Sequence, residues 1–251
     1  MALASMSEIF ERMARNGQEF WEVVLADDMD ERQVSREASM AKMLTTWQAM
    51  QDAADSYTGR KRSVSGLVGG DGMKMRQYTF RGCAMTGGYV SEVIAEALSM
   101  AESNACMRRI VAAPTAGACG VLPAVLLPLC KYEELTQHQL LEALYVAAGI
   151  GSVIAYKASI AGASGGCQAE IGTASAMAAG ALVALRGGEG EQIGHAVAMA
   201  LKNLMGLDCD PVAGLVEVPS VKRNVIGAVN AVSAADMALA GIESRIPVDE
   251  V

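Results

Sequence analysis

Apolar residues recur at three- and four-residue spacing along much of the chain, which is the period of an α-helix with one buried face. Ile9, Phe10 and Met13 follow this period within a helix that we predict over residues 6–16. A second predicted helix begins after Ser35, a residue type that caps helix N-termini, and carries a methionine-rich apolar stripe. We interpret that stripe as core rather than as a ligand site.

The same period continues beyond the first hundred residues. Thr136 and Gln139 have the spacing of a capping box, which predicts a helix start immediately before residue 140. The further predicted helices span residues 89–108, 140–156, 170–185, 191–205 and 225–240. No segment alternates apolar and polar residues as a strand does. The pattern predicts an all-α fold: one compact multi-helix domain over residues 1–251 with Gly/Pro-rich active-site loops.

A glycine-rich segment at 61–72 interrupts the helical pattern. It holds four glycines within seven residues, so its backbone amides can approach a ligand closely. Ser65 and Asp71 add polar groups that a flexible linker, the alternative interpretation, does not need. We expect this loop to have a function.

A second unusual segment, residues 110–130, has no charged residue and is long enough to cross a bilayer. Pro114, Pro123 and Pro128 interrupt it, and a lipid-exposed helix broken in this way would leave backbone groups unpaired. We therefore expect buried core with a functional loop, and no membrane association.

Composition narrows the function classes. Of 251 residues, 52% are apolar and 19% are charged, which is typical of a globular protein and not of a disordered one. A net charge of −8 argues against nucleic acid as a partner, because phosphates need a basic surface. The chain opens without a secretory leader, so we expect a reducing cytoplasm and no disulfide framework for its six cysteines.

The cysteines fall into different settings. Three lie in or beside apolar helical segments and are expected to be buried, inert thiols. They are Cys83, Cys106 and Cys130. Cys119 is ambiguous in a Pro/Gly loop, whereas Cys167 and Cys209 both lie among small or turn-forming residues that leave room beside the sulfur. His138 and His195 are predicted on polar helix faces without partners, and no Cys-x-x-Cys pair exists, so a zinc finger is excluded.

Two longer strings carry a specific resemblance. Residues 165–182 (GGCQAEIGTASAMAAGAL) and 206–219 (GLDCDPVAGLVEVP) closely resemble the α chain of iron–sulfur-dependent bacterial L-serine dehydratase. Shorter matches are SVSGLVGGD (63–71), PTAGACG (114–120), KRN (222–224) and ADMALAGI (235–242). The resemblance implies a lyase that converts L-serine to pyruvate and ammonia. It also implies a [4Fe-4S] cluster, held by three cysteines, whose fourth iron is open to substrate.

Two of the three family cysteines fall on Cys167 and Cys209, but the third falls on Ser220. A serine hydroxyl is a hard ligand of high pKa, whereas iron–sulfur clusters are held by thiolates. Ser220 therefore makes cluster retention the open question. The alternative hypothesis is a cluster-deficient, non-catalytic binding or assembly subunit of the same family.

The expected roles of the other site residues follow from the chemistry of eliminating water from L-serine. An open iron would carry off hydroxide as a Lewis acid, and amide-rich loops are suited to gripping the substrate carboxylate. The residues expected to bind substrate are Ser65, Gly66, Thr115, Ala116 and Gly117. The resemblance implies a catalytic histidine from a separate β chain, with Lys157 as the local alternative base.

Two further expectations concern the whole assembly. We expect an oligomer containing the β chain, and the resemblance implies a glycine-containing tail beyond Val251, so truncation of this chain is one interpretation. A pyridoxal-phosphate lyase that uses Lys157 and the glycines of 162–166 is a third hypothesis. It is disfavoured because such a fold should alternate strands with helices.

Overall fold

The computed structural model describes residues 3–251, which form ten α-helices and one short 3-10 helix, Ala116–Ala118. The helices are α1 (Met6–Asn16), α2 (Phe20–Arg32), α3 (Arg36–Asp55), α4 (Asp71–Phe80), α5 (Gly87–Ala105), α6 (Val121–Tyr132), α7 (Gln137–Lys157), α8 (Gly162–Leu185), α9 (Gly190–Leu204) and α10 (Glu217–Leu239). Within this range there is no strand, only a single antiparallel bridge between Val212 and Leu215. The predicted all-α fold is confirmed.

Helix α8 is the centre of the fold. Every residue from Ile171 to Val183 is buried, and most of them are alanine, glycine or serine. Small side chains let neighbouring backbones come close, and α8 packs against α6, α7, α9 and α10. The Ser175 hydroxyl donates to the Gly227 carbonyl of α10 over 2.7 Å and accepts from the Asn230 amide. Polar groups at this crossing are therefore paired.

Three predicted helix starts are present as expected. Helix α1 spans the predicted residues, and α3 begins after Ser35, whose hydroxyl accepts from the Ala38 amide. Helix α7 begins with the predicted capping box, in which Thr136 and Gln139 satisfy each other's backbone amides. Local capping chemistry determined these boundaries.

Other boundaries differ from the sequence prediction. Helices α2 and α4 were not predicted. Helix α2 begins with an unusual capping box whose first residue is a glutamate, Glu19. Helix α4 has no apolar stripe, because Gly72 is its only buried residue. Helices α8 and α10 each begin eight residues, or about two turns, earlier than predicted, in loop-like sequence. Pro219 is accommodated in α10 because the first-turn amides of a helix have no intrahelical partner.

In the uncharged segment at 110–130, residues 118–129 are almost all buried, as predicted, whereas most of residues 110–117 are half-buried or exposed. A loop leads into α6, which includes Pro123 in its first turn and Pro128 in its interior, so these two prolines do not end the helix as expected. In the described range one helix, α7, is long and apolar enough to cross a membrane, and most of it is buried inside this protein.

Close packing between α8 and α10 gives a direct test. A methyl group at Gly227 would lie 2.7 Å from Ile171 Cγ2 and 3.1 Å from Val121 Cγ2, and these methyls are fixed by branched side chains. We expect Gly227→Ala to reduce the free energy of unfolding by about 1–3 kcal/mol, measured by urea titration.

Gly172→Ala is the matched control. It is also a buried helical glycine, but its nearest neighbour would be 3.9 Å from the added methyl. Alanine is the better helix former, so this variant should be neutral or up to about 1 kcal/mol more stable. Equal destabilisation of both variants would contradict this account of the packing.

Candidate active site

A cavity of about 470 Å³ lies where α5, the start of α8, the loop before α6 and the start of α10 meet. Its lining includes both cysteines that the sequence singled out, Cys167 and Cys209, together with Ser220. Gly117 and two acidic residues, Glu170 and Glu217, complete its polar wall. Segments more than a hundred residues apart in sequence thus converge on one space.

The two cysteines approach because the loops that carry them are tied together. Gly166 has φ +71°, a conformation that favours glycine, and it kinks α8 directly before Cys167. The Gln168 amide then donates to the Leu207 carbonyl over 2.7 Å, which holds the 206–210 loop against the kink. The two sulfur atoms lie 3.7 Å apart, with Cys167 buried and Cys209 exposed.

A cation borders this thiol pair. The Arg223 guanidinium, one helical turn into α10, donates to Cys167 Sγ over 3.0 Å. Burial raises the pKa of the Cys167 thiol above its usual value, and the guanidinium opposes that shift by favouring the thiolate. Arg223 therefore supplies positive charge at a position where thiolate ligands would need it.

Ser220 lies in the same cavity but differs chemically from the cysteines. Its hydroxyl donates weakly to the Gly117 carbonyl, over 3.4 Å. Within residues 3–251 no group of three His, Cys, Asp or Glu side chains is arranged to hold a metal ion. The donor set thus suits a thiolate-held iron–sulfur group at two positions and offers a hard oxygen at the third.

A buried amide fixes the loop before α6 against α10. Asn224 has no exposed surface, and its Nδ2 donates to the carbonyls of Gly117 (2.7 Å) and Ser220 (2.9 Å). Its Oδ1 accepts from the Gly120 amide over 2.9 Å. One side chain therefore pairs three backbone groups and positions residues 117–120 at the cavity.

The glycine-rich loop is anchored by a buried carboxylate. Glu102, 1% exposed, accepts from the amides of Gly70 (3.0 Å) and Asp71 (2.7 Å) at the start of α4. A carboxylate is favoured there by the unpaired amides and the helix dipole. The Tyr57 hydroxyl also donates to Glu102, and burial raises the pKa of that phenol far above its usual value.

The other side of this loop is joined to α10. Lys222 Nζ lies 2.7 Å from Asp71, and its hydrogen bond holds the pKa of that carboxyl below its usual value. The Ser65 hydroxyl donates to Glu217, which lines the cavity. Ser65 thus lies at the rim, with Gly66 exposed beside it.

The predicted residues of the second loop lie at the cavity wall. The Thr115 hydroxyl donates to the Glu170 carboxylate, and the Ala116 carbonyl accepts from Asn104 over 3.0 Å. Gly117 lines the cavity itself. Gly117 therefore shares the cavity with the thiol pair, and Thr115 and Ala116 contact its lining residues Glu170 and Asn104.

Lys157 does not lie at the cavity that contains the thiol pair. Its Nζ pairs with Asp249 at 3.3 Å, and it lines a different cavity of about 440 Å³ on the other side of the first turns of α8. Its suggested role as a local base has no support from this placement.

The expectations for the remaining cysteines and histidines need correction in part. Cys119 is fully buried, which raises its pKa to about 12. None of the three cysteines expected to be buried is so: Cys83 is exposed because it lies in the turn between α4 and α5, and Cys106 and Cys130 are half-buried. His195 is not partnerless, since its Nδ1 accepts from the Ser244 amide over 3.2 Å. His138 lies 3.2 Å from Glu142 and packs edge-on against Trp21.

Four of the polar residues that assemble this site were not predicted from the sequence. They are Glu102, Glu170, Arg223 and Asn224. The available signal was charged or amide residues within otherwise small and apolar helical segments. Such residues are seldom buried without a polar partner.

Comparison with known proteins shows the family of this chain. Residues 15–251 match the family model described as serine dehydratase alpha chain. The chain is 45% identical over 230 residues to the probable L-serine dehydratase, alpha chain, of Bacillus subtilis (strain 168), covering 92% of this chain and 77% of the relative. The L-serine dehydratase, alpha chain, of Peptoniphilus asaccharolyticus is 37% identical over 250 residues, covering 99% and 86%.

A longer relative matches only part of this chain. L-serine dehydratase 2 of Escherichia coli (strain K12) is 47% identical over 157 residues, which are 62% of this chain and 34% of the relative. Taken together, the helical fold, the cavity and these matches define the class of protein. The chain belongs to the serine dehydratase alpha-chain family.

Asn224 provides a test of how the cavity is assembled. In Asn224→Ala the Gly120 amide and the Gly117 carbonyl lose their buried partner, so we expect a loss of about 2–4 kcal/mol in unfolding free energy. Asn203→Ala removes an exposed amide and should change stability by no more than about 0.5 kcal/mol. Similar losses of unfolding free energy in urea titrations of both variants would refute the role of Asn224 in fixing the loop before α6.

Proposed function

We propose that this chain is the α subunit of an L-serine dehydratase, a lyase that converts L-serine to pyruvate and ammonia. The observation that carries the proposal is the cavity in which Cys167, Cys209 and residue 220 converge with the two glycine-containing loops. Membership of the serine dehydratase alpha-chain family supports the reaction class.

The reaction requires a proton to leave Cα and hydroxide to leave Cβ. Loss of water gives 2-aminoacrylate, which tautomerises to an imine, and water then hydrolyses the imine to pyruvate and ammonia. Neither bond breaks readily alone, because the Cα proton is weakly acidic and hydroxide is a poor leaving group. The site must therefore hold the substrate so that base and Lewis acid act together.

The chain's own residues supply the substrate contacts in this proposal. Backbone amides at Gly117, which lines the cavity, are suited to the serine carboxylate, since glycine allows close approach and amides stabilise negative charge. Gly66 lies at the rim, and its own amide already donates to the Ser63 carbonyl. The Thr115 and Ser65 hydroxyls lie beside these loops and are tied to Glu170 and Glu217, respectively.

Cys167 and Cys209 are the residues that would hold a [4Fe-4S] cluster, with residue 220 at the third position. When bound, such a cluster with one open iron supplies the Lewis acid for the departing hydroxide. Two converging thiols and the Arg223 guanidinium support this assignment, because the cation favours thiolate at Cys167.

Ser220 favours a second candidate function. A hydroxyl is a poor ligand for this type of cluster, so the chain would retain the family fold and partner but lose the cofactor. It would then act as a non-catalytic binding or assembly subunit. Both candidates share the cavity and differ in whether iron is retained.

The Ser220→Cys variant separates the two candidates. After anaerobic reconstitution we expect it to approach roughly four iron and four sulfide per chain, with the unmodified chain binding weakly and losing iron quickly in air. Iron and sulfide analysis with visible absorbance measures the difference.

The matched control adds Cys167→Ala to Ser220→Cys, which should remove the gain because a ligand is lost again. Equal iron and sulfide in the unmodified chain and Ser220→Cys would contradict the weakness assigned to Ser220. Full iron content in the double variant would contradict the ligand assignment.

We further propose that the chain acts with a separate β chain in a cytoplasmic oligomer. The relatives named alpha chain imply a partner subunit, and the Escherichia coli relative is longer than the matched region. Exposed apolar residues border the rim of the site: Val64 is 98% exposed, and Leu67 and Val216 are more than half exposed. A partner that supplies the base could cover this rim.

This partner hypothesis predicts that the purified, anaerobically reconstituted Ser220→Cys chain forms no pyruvate from L-serine by itself. Adding the β chain should give co-elution in size-exclusion chromatography and pyruvate formation in a coupled assay. Sustained turnover by the α chain alone would show that its own residues supply the base.

A further inference from the structure

The contacts described above leave one part of the substrate without a partner. L-serine carries a carboxylate, a hydroxyl and an ammonium group, and the amide-rich loops and the thiol pair suit the first two. An ammonium group needs a carboxylate or several carbonyl oxygens when it leaves water. The cavity lining contains two carboxylates, Glu170 and Glu217.

The Glu170 carboxylate fits inside the cavity because two neighbouring residues are glycines and leave room for it. A methyl group at either Gly117 or Gly162 would lie 2.7 Å from Glu170 Oε2, so any larger residue would displace the carboxylate. Glycine at both positions therefore gives the carboxylate a fixed place between two backbone segments. The Thr115 hydroxyl donates to Oε1 and fixes its orientation.

The second oxygen of this carboxylate is available. Within residues 3–251, Oε2 accepts no hydrogen bond, while Oε1 is paired with Thr115. Glu217, by contrast, lies in the first turn of α10, where the helix dipole already stabilises its charge, and it accepts from Ser65. Glu170 is the carboxylate with the greater remaining capacity for a cation.

The distance along α8 also fits the substrate. Glu170 follows Cys167 by three residues, so the two side chains lie on the same face of the helix, one turn apart. In L-serine the hydroxyl and ammonium groups are on adjacent carbons. A serine with its hydroxyl toward the thiol pair would place its ammonium group within reach of Glu170.

We propose that Glu170 binds the ammonium group of the substrate and thereby selects amino acids over hydroxy acids that lack the amine. The Thr115 hydroxyl and the two glycines position its carboxylate for this contact. This inference rests on the proposed serine dehydratase function and names a residue for one substrate group.

The test compares L-serine with 3-hydroxypropanoate, which is L-serine without its amino group. Binding of each compound is measured by isothermal titration calorimetry on the full chain, where the predicted lack of turnover leaves a pure binding signal. In the complex of the reconstituted Ser220→Cys chain with the β chain, which is the form expected to turn over, the same comparison is made from the KM of L-serine and the inhibition constant of 3-hydroxypropanoate. We expect the unmodified protein to prefer L-serine by at least about tenfold.

Glu170→Gln keeps the shape and the acceptor for Thr115 but removes the charge. We expect it to weaken L-serine binding by about 10- to 100-fold and to change 3-hydroxypropanoate binding by less than about threefold. A general loss of structure would weaken both compounds equally. Far-ultraviolet circular dichroism checks folding, and Glu191→Gln, at an exposed position outside the cavity, is the control.

The outcomes separate this inference from the proposed function. If the unmodified protein binds L-serine neither alone nor in complex with the β chain, both the proposed function and this inference are overturned. Normal L-serine binding that is unaffected by Glu170→Gln, or is lost only in Glu217→Gln, would overturn the role of Glu170 alone. If Glu170→Gln does not fold, equal affinity of the unmodified protein for the two compounds still overturns it.

Discussion

The close approach of four helices to α8 is the constraint on which the rest of this structure depends. From Ile171 to Val183 the helix is buried on all sides, and its small side chains set how near α6, α7, α9 and α10 can lie. Tight packing of this kind leaves little freedom for the ends of the helices. The start of α8, which carries Cys167, is consequently held in a fixed place relative to the start of α10.

The start of α10 uses that fixed place to organise three separate loops. Lys222 pairs with Asp71 of α4, Arg223 donates to Cys167, and Asn224 pairs backbone groups of the loop before α6. Three consecutive residues can contact three loops because successive helical side chains point about 100° apart. The cavity is thus assembled from the inside of the fold, and the polar groups around it also hold its loops together.

Charge is distributed unevenly around the cavity in a way that suits an amino acid. A guanidinium borders the thiol pair, while the carboxylates of Glu170 and Glu217 also line the cavity. In a partly enclosed site such charges are less screened than on an open surface. Both signs of charge therefore border the cavity, which is the basis for proposing a zwitterionic substrate, and Ser220 places a hydroxyl rather than a thiol among them.

The sequence by itself determined the helical class and the capped starts of α1, α3 and α7, because periodicity and capping chemistry depend on neighbouring residues. The family resemblance singled out Cys167, Cys209 and Ser220, and their ligand roles stay predictions. The tertiary structure decided which polar residues meet. Glu102, Glu170 and Asn224 look like ordinary helical residues, and only packing around α8 brings them to polar groups far away in sequence. Packing likewise separated Lys157 from the thiol pair, since the direction of a side chain from a helix depends on which face its neighbours bury.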